Sequence, residues 1–110
     1  MADVEVRIEH PHAAKQLEAA PPVVRDALRR RAKQLRDDPS AGTFIVLKRV
    51  PQATRRRWES RLGTLPALYK LDLPDGWRAL YTTGSDGPLG LVLVFEVVTH
   101  REYDRMLGYG

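Results

Sequence analysis

The sequence predicts an α+β fold: an N-terminal strand, a helical hairpin, then an antiparallel β-meander with the helices packed on one face of the sheet. Three observations predict it. Residues 3 to 9 alternate polar and apolar, the period of a half-buried strand. Val24, Leu28, Ala32 and Leu35 recur at spacings of four, four and three, which draws one apolar stripe along a helix. From Leu65 onward, alternating or continuous apolar runs are separated by turn signals. Helices segregated ahead of consecutive strands are the α+β pattern.

In the opening strand Val4, Val6 and Ile8 share one face, and Asp3, Glu5, Arg7 and Glu9 the other. His10-Pro11-His12 breaks it. Two histidines without a third ligand are a weak metal signal, and both read as loop residues. The alanine-rich stretch 12 to 20 reads as a short helix. Pro21 and Pro22 end it and can open the next, since proline is tolerated in a first helical turn. Arg25, Arg29, Arg30, Lys33 and Arg36 cover the polar side of that second helix, and Asp37-Asp38-Pro39 stops it. After a loop at Ser40-Ala41-Gly42, FIVLKRV reads as a strand or as extended chain leading to Pro51. ATRRRWESRLG reads as a short basic helix or a structured loop ending near Gly63.

Ala67, Tyr69, Leu71 and Leu73 then alternate with Leu68, Lys70 and Asp72. Pro74-Asp75-Gly76 is a turn, because proline presets one dihedral and glycine accepts a positive one. Trp77, Ala79 and Tyr81 face one way, and Arg78, Leu80 and Thr82 the other. GSDGPLG reads as a flexible hairpin loop. LVLVFEVV, interrupted only by Glu96, is apolar enough for a central strand covered on both faces. HREYDRMLGY follows as a polar tail.

At 110 residues the chain suits one domain over 1–110. It has no cysteine, hence no disulfide framework and no thiolate metal site. No apolar run is long enough to span a bilayer. MADVEVRIEH lacks the charged-then-apolar pattern of a signal peptide. A cytoplasmic protein without membrane association is expected. Lys and Arg number 18 against 14 Asp and Glu, giving +4 and a pI near 9.8. That balance favours polyanionic partners: RNA, DNA or an acidic protein segment. A GC-rich genome that prefers arginine codons produces the same bias. No nucleotide-binding glycine loop, zinc-protease helix or nucleophile elbow occurs, and no metal or cofactor is called for.

The run YKLDLPDGWRALY, then an apolar strand, then VTHREYDRMLGY, resembles the RelE/ParE superfamily of toxins from type II toxin–antitoxin modules. The helical hairpin with its DDP stop, just after an alternating strand, is similar to the same family. The resemblance covers nearly the whole chain and is thinnest from Gly42 to Gly63. It implies a sheet with two helices on one side and a cognate antitoxin, often acidic, as partner. On the RelE branch it implies a metal-independent endoribonuclease that cleaves mRNA on the ribosome, without a cofactor. On the ParE branch it implies inhibition of DNA gyrase. A third reading is an inactive relative that only binds an antitoxin. Fold alone does not choose among these; the basic and aromatic set after the last strand favours the RelE branch.

Metal-free RNA cleavage needs a base for the ribose 2′-OH, a cation for the charge growing on the phosphate, and an acid for the leaving 5′-oxygen. The resemblance distributes these roles. Arg78 matches a functional arginine in the family's G-[WY]-R pattern and can grip a phosphate; equally, it can pair with Glu96 across the sheet. Lys70 matches a family lysine, a point charge for the phosphate, or is a solvent-facing lysine of an alternating strand. Asp72 stands where RelE-type members can carry a second lysine, which removes positive charge from the site. His100 and Arg101 match the basic pair after the last strand, the histidine as acid or base and the arginine as a charge stabiliser; the alternative is a solvated strand exit. Tyr103 is preferred to Tyr109 as the family's C-terminal tyrosine, which stacks on a base or transfers a proton. Tyr109, with Met106 and Leu107, reads as packing the tail onto the core. Arg55, Arg56 and Arg57, with Lys48, read as an RNA-binding set whose binding is salt-dependent, or as a solvated basic face above a core Trp58.

Overall fold

The computed structural model describes residues 3–109. Within them run β1 (Val4–Ile8), α1 (His12–Ala19), α2 (Pro22–Asp37), β2 (Thr43–Phe44), α3 (Gln52–Leu62), β3 (Tyr69–Asp72), β4 (Arg78–Asp86), β5 (Leu89–Val98) and α4 (His100–Leu107). The strands form one sheet in the order β1-β5-β4-β3-β2. β3, β4 and β5 are the expected antiparallel meander. β1 joins it parallel to β5, from Val4 opposite Gly90 to Ile8 opposite Val94.

Each face of the sheet carries a core. On one, α2 sets Val24, Leu28 and Leu35 against Leu71, Ala79, Tyr81 and Val94, the face on which the sequence places the helical hairpin. On the other, Trp58 of α3 and Tyr103 and Leu107 of α4 pack with Leu68, Leu80, Phe95 and Val98.

That second cover corrects the expected polar tail. Thr99 caps a helix there: its hydroxyl accepts the Glu102 N–H at 3.2 Å, and the Glu102 carboxylate accepts the Thr99 N–H at 3.1 Å. This reciprocal capping box satisfies two otherwise orphaned donors. Tyr103 and Leu107, one turn apart, are buried, and Gly108 ends the helix at φ 78°, a left-handed conformation that suits glycine. Two other segments differ. FIVLKRV contributes only Phe44 to the two-residue strand β2, which pairs with Tyr69 and Lys70. It then folds into a 3₁₀ turn at Leu47–Arg49, because Ile45 and Val50 turn inward to the second core. GSDGPLG is mostly strand. β4 and β5 pair as far as Asp86 and Leu89, leaving Gly87 and Pro88 as a tight turn. ATRRRWESRLG is helical, as one of its two readings had it, and Gly63 ends it.

A bulge shapes the middle of β5. Leu80 lies opposite Glu96 and Tyr81 opposite Val94, so Phe95 is an extra residue. Phe95 and Glu96 therefore both turn toward α3. Glu96 is only 2% exposed. Its Oε1 accepts from Gln16 Nε2 at 2.9 Å and lies 2.8 Å from His12 Nε2; its Oε2 accepts from Trp58 Nε1 at 2.9 Å. His12 is thus the first residue of α1 and a partner of the core, not a loop residue. Gln16 Oε1 also accepts the Val97 N–H at 2.7 Å, so α1 takes over the edge of β5 beyond the end of β1.

Trp58→Phe keeps an aromatic ring against Phe95 but removes the donor to Glu96. A hydrogen bond to a charged group contributes about 1.5–3 kcal/mol. The variant is expected to lose at least that much stability, read as a lower urea midpoint at unchanged slope.

Candidate functional site

The register of the meander decides what faces α4. Lys70 and Asp72 point to the same side as Leu68, and Arg78 to the same side as Leu80, with Asp72 directly opposite Arg78. The capping box starts α4 immediately after β5, so His100 stands at its first position and Tyr103 one turn on. The result is an open groove of about 400 Å³, lined by Phe44, Arg49, Lys70, Arg78, His100, Tyr103, Asp104 and Tyr109 among others.

The polar groups form a chain. Asp72 Oδ1 lies 3.3 Å from Lys70 Nζ and 3.0 Å from Arg78 Nε. Arg78 Nη1 donates to the Trp77 carbonyl at 3.1 Å, and its Nη2 lies 3.5 Å from His100 Nδ1. His100 Nε2 lies 3.0 Å from Asp104 Oδ2. Both cations also sit over the Tyr103 ring, Lys70 Nζ at 5.6 Å and Arg78 Cζ at 5.9 Å from its centroid, within cation–π range. One carboxylate and one ring thus hold the two cations side by side.

Burial, helped by the nearby Tyr109 phenol and opposed by Arg78, pushes the Tyr103 hydroxyl up to about 12. At neutral pH it remains a phenol, a proton donor rather than a base. Burial also raises Tyr81, but that hydroxyl is occupied: it accepts the Gly42 N–H at 2.9 Å and donates to the Pro39 carbonyl at 2.8 Å.

Lys70, Arg78, His100 and Tyr103 line one groove. Arg101 is exposed on α4 beside an adjoining depression shared with His100, Asp104 and Arg105. The alternative pairing of Arg78 with Glu96 does not occur. Glu96 is claimed by α1 and α3, and the partner of Arg78 is Asp72, its cross-strand neighbour. Arg55, Arg56 and Arg57 lie on α3 away from the groove, Arg55 half-buried and the others exposed, with Trp58 in the core. Lys48 is exposed, while its neighbour Arg49 lines the groove. Tyr109 does not pack the tail: it is 64% exposed on the groove rim, and Phe44 is 59% exposed on the same rim. Sequence reasoning missed Phe44, Arg49 and Asp104. A helical reading of the tail would have exposed the one-turn spacing of His100 and Asp104. Among the described residues no helix is long and apolar enough to cross a membrane.

Because the folded Tyr103 value lies above the ordinary phenol value of about 10, the unfolded chain releases this proton first as pH rises. The Tyr103 contribution to stability is therefore complete below about pH 10 and lost between 10 and 12. In a spectrophotometric titration, Tyr103→Phe should remove the phenolate step near pH 12, and its stability should fall less steeply over that window.

No protein-family model matches the chain, and no curated protein matches it. A solved structure does. The toxin RelE of E. coli in its free state, in a form with two arginines replaced by alanine, superposes with a TM-score of 0.58 at 17% identity. The match covers 99% of this chain and 98% of that one. It shows that the chain has the RelE-like toxin fold.

Proposed function

We propose that the protein is the toxin of a type II toxin–antitoxin module and a metal-independent endoribonuclease that cleaves mRNA on the ribosome. The observation that carries this reading is the composition of the groove. It holds two adjacent cations, an imidazole and a protonated phenol, with Phe44 and Tyr109 exposed at its rim. Cations suit a phosphate, and exposed aromatic rings suit the unstacked bases of single-stranded RNA. A protein that only poisons gyrase requires neither the imidazole nor the phenol. The ribosome as the place of action follows from the family resemblance, as does a cytoplasmic location.

In the proposed reaction Arg78 and Lys70 leave Asp72 for the scissile phosphate and offset the charge that grows on it. His100 Nδ1 takes the 2′-hydroxyl proton, and the freed oxygen attacks phosphorus. The bond from phosphorus to the 5′-oxygen breaks, and that oxygen takes the Tyr103 phenolic proton. The products are a 2′,3′-cyclic phosphate and a 5′-hydroxyl end. Asp72 keeps the two cations together until the phosphate replaces it. The antitoxin has a fitting surface elsewhere: an apolar groove between β1 and α2, containing Val6, Ile8, Leu17 and Leu28 and rimmed by Arg25, Arg29 and Arg36. Its charge suits an acidic, amphipathic segment.

A translation reaction with purified protein, followed by mapping of mRNA 5′ ends, tests the proposal. Wild-type protein is expected to cut only when ribosomes are present. Arg78→Ala and His100→Ala should each slow cleavage by about 10²–10³-fold while remaining folded. Intact mRNA with the wild-type protein, or undiminished cleavage by both variants, would overturn it. Inhibition of gyrase supercoiling would then support the ParE-like reading.

A further inference from the structure

We infer that Asp104 is the positioning residue of His100, holding its imidazole in the Nε2–H tautomer with the Nδ1 lone pair turned toward Arg78. The catalytic consequence rests on the nuclease reading above; the tautomer does not.

The imidazole lies between groups of opposite demand. An ionised Asp104 carboxylate only accepts hydrogen bonds, and its Oδ2 is 3.0 Å from Nε2. A guanidinium only donates, and Arg78 Nη2 is 3.5 Å from Nδ1. A neutral imidazole offers one N–H and one lone pair. With the proton on Nε2, both neighbours are matched. With the proton on Nδ1, an N–H would face the guanidinium and a lone pair would face the carboxylate. Helix geometry makes the arrangement firm: His100 and Asp104 are one turn apart on α4, where side chains four residues apart meet. The Thr99–Glu102 capping box fixes that first turn.

The orientation has a chemical use. The Nδ1 lone pair is directed beside Arg78, where the scissile phosphate would be gripped, so it can receive the 2′-hydroxyl proton. The ring then becomes a cation, and Asp104 stabilises it through the Nε2–H without taking a proton. The carboxylate side chain of Asp104 is 29% exposed. Its effect should be smaller than the loss of about 10⁴ seen when a buried carboxylate in a serine-protease triad is neutralised.

Two measurements on the full chain decide this. In a long-range ¹H–¹⁵N correlation spectrum of ¹⁵N-histidine-labelled protein in alkaline buffer, His100 should show one protonated nitrogen, Nε2, and one bare nitrogen, Nδ1. Asp104→Ala should draw the two shifts toward the average of mixed tautomers, with exposed His10 as an unchanged internal reference. The same tautomer mixture in both proteins would overturn the inference, whether or not the protein cleaves RNA. In the cleavage assay Asp104→Asn should lower kcat by about 10- to 100-fold with KM within about twofold, less than the effect of a buried triad carboxylate, and Asp104→Glu should recover part of it. An unchanged kcat would overturn the catalytic role. A wild-type protein that cuts no RNA would overturn that role together with the nuclease reading, and the tautomer spectrum would still decide the positioning.

Discussion

The buried carboxylate of Glu96 is the constraint on which the remaining architecture depends. Burying an ionised carboxylate is costly unless its oxygens are satisfied, and here the satisfying groups come from far along the chain: His12 and Gln16 from α1, Trp58 from α3. Arg61 adds a cation at 3.6 Å and binds Glu9 and the Phe95 carbonyl as well. An apolar residue at this position could contribute as much stability, but it would not specify which helix face meets the sheet. α3 needs that specification. Its residues are mostly arginine and other polar types, and only Thr54 and Trp58 are buried along its length. A helix with so narrow an apolar stripe is held by one indole and by the polar contacts of Thr54, Trp58 and Arg61 more than by general burial.

From that anchor the constraint passes to the groove. The Thr54 hydroxyl donates to the Met106 carbonyl at 2.8 Å, tying α3 to the last turn of α4. α4 in turn carries His100, Tyr103 and Asp104 to the open end of the meander. The bulge at Phe95 matters for the same reason. By turning Phe95 and Glu96 to one side, it gives α3 both a ring to pack on, with centroids 5.2 Å apart, and a carboxylate to bind. The strands that carry the cations need no such long-range support, although the Tyr103 ring of α4 lies under both side chains. Lys70, Asp72 and Arg78 are placed by two adjacent strands and the turn between them.

This difference explains what could be read in the sequence. The meander, the opening strand and the α2 stripe are local patterns, and periodicity shows them directly. The Asp72–Arg78 pair was within reach of the same local reasoning, since a tight turn at Asp75-Gly76 brings those positions opposite each other, but the partner named for Arg78 was Glu96. Glu96 was visible only as an interruption, because its partners lie 38, 80 and 84 residues away. α4 was missed because an eight-residue helix is marginal by itself and its exposed face is dense in charge. Its only local marks are the capping box and the one-turn spacing of Tyr103 and Leu107. FIVLKRV stayed ambiguous between strand and extended chain for the converse reason: Ile45, Leu47 and Val50 serve the second core, Val46 is exposed, and only Phe44 enters the sheet. Four members of the proposed catalytic set were named from the residues and the family resemblance, whereas Phe44 and Arg49 depended on turns that no local pattern announced, and Asp104 on a helix that was read as a polar tail.

Tyr103 shows why core and site are inseparable in a chain this small. It is a core residue, 5% exposed, packed in the same cluster as Trp58 and Phe95. Its ring is also the surface over which Lys70 and Arg78 lie, and its hydroxyl is kept protonated by the same burial. The packing that closes the second face of the sheet therefore sets the protonation state of one group and the position of two others. A larger protein could separate these tasks by building its site on a finished core. Here the last helix completes the core and the groove in one step. Any change that loosens α4 against the sheet therefore also disturbs the electrostatics of the groove.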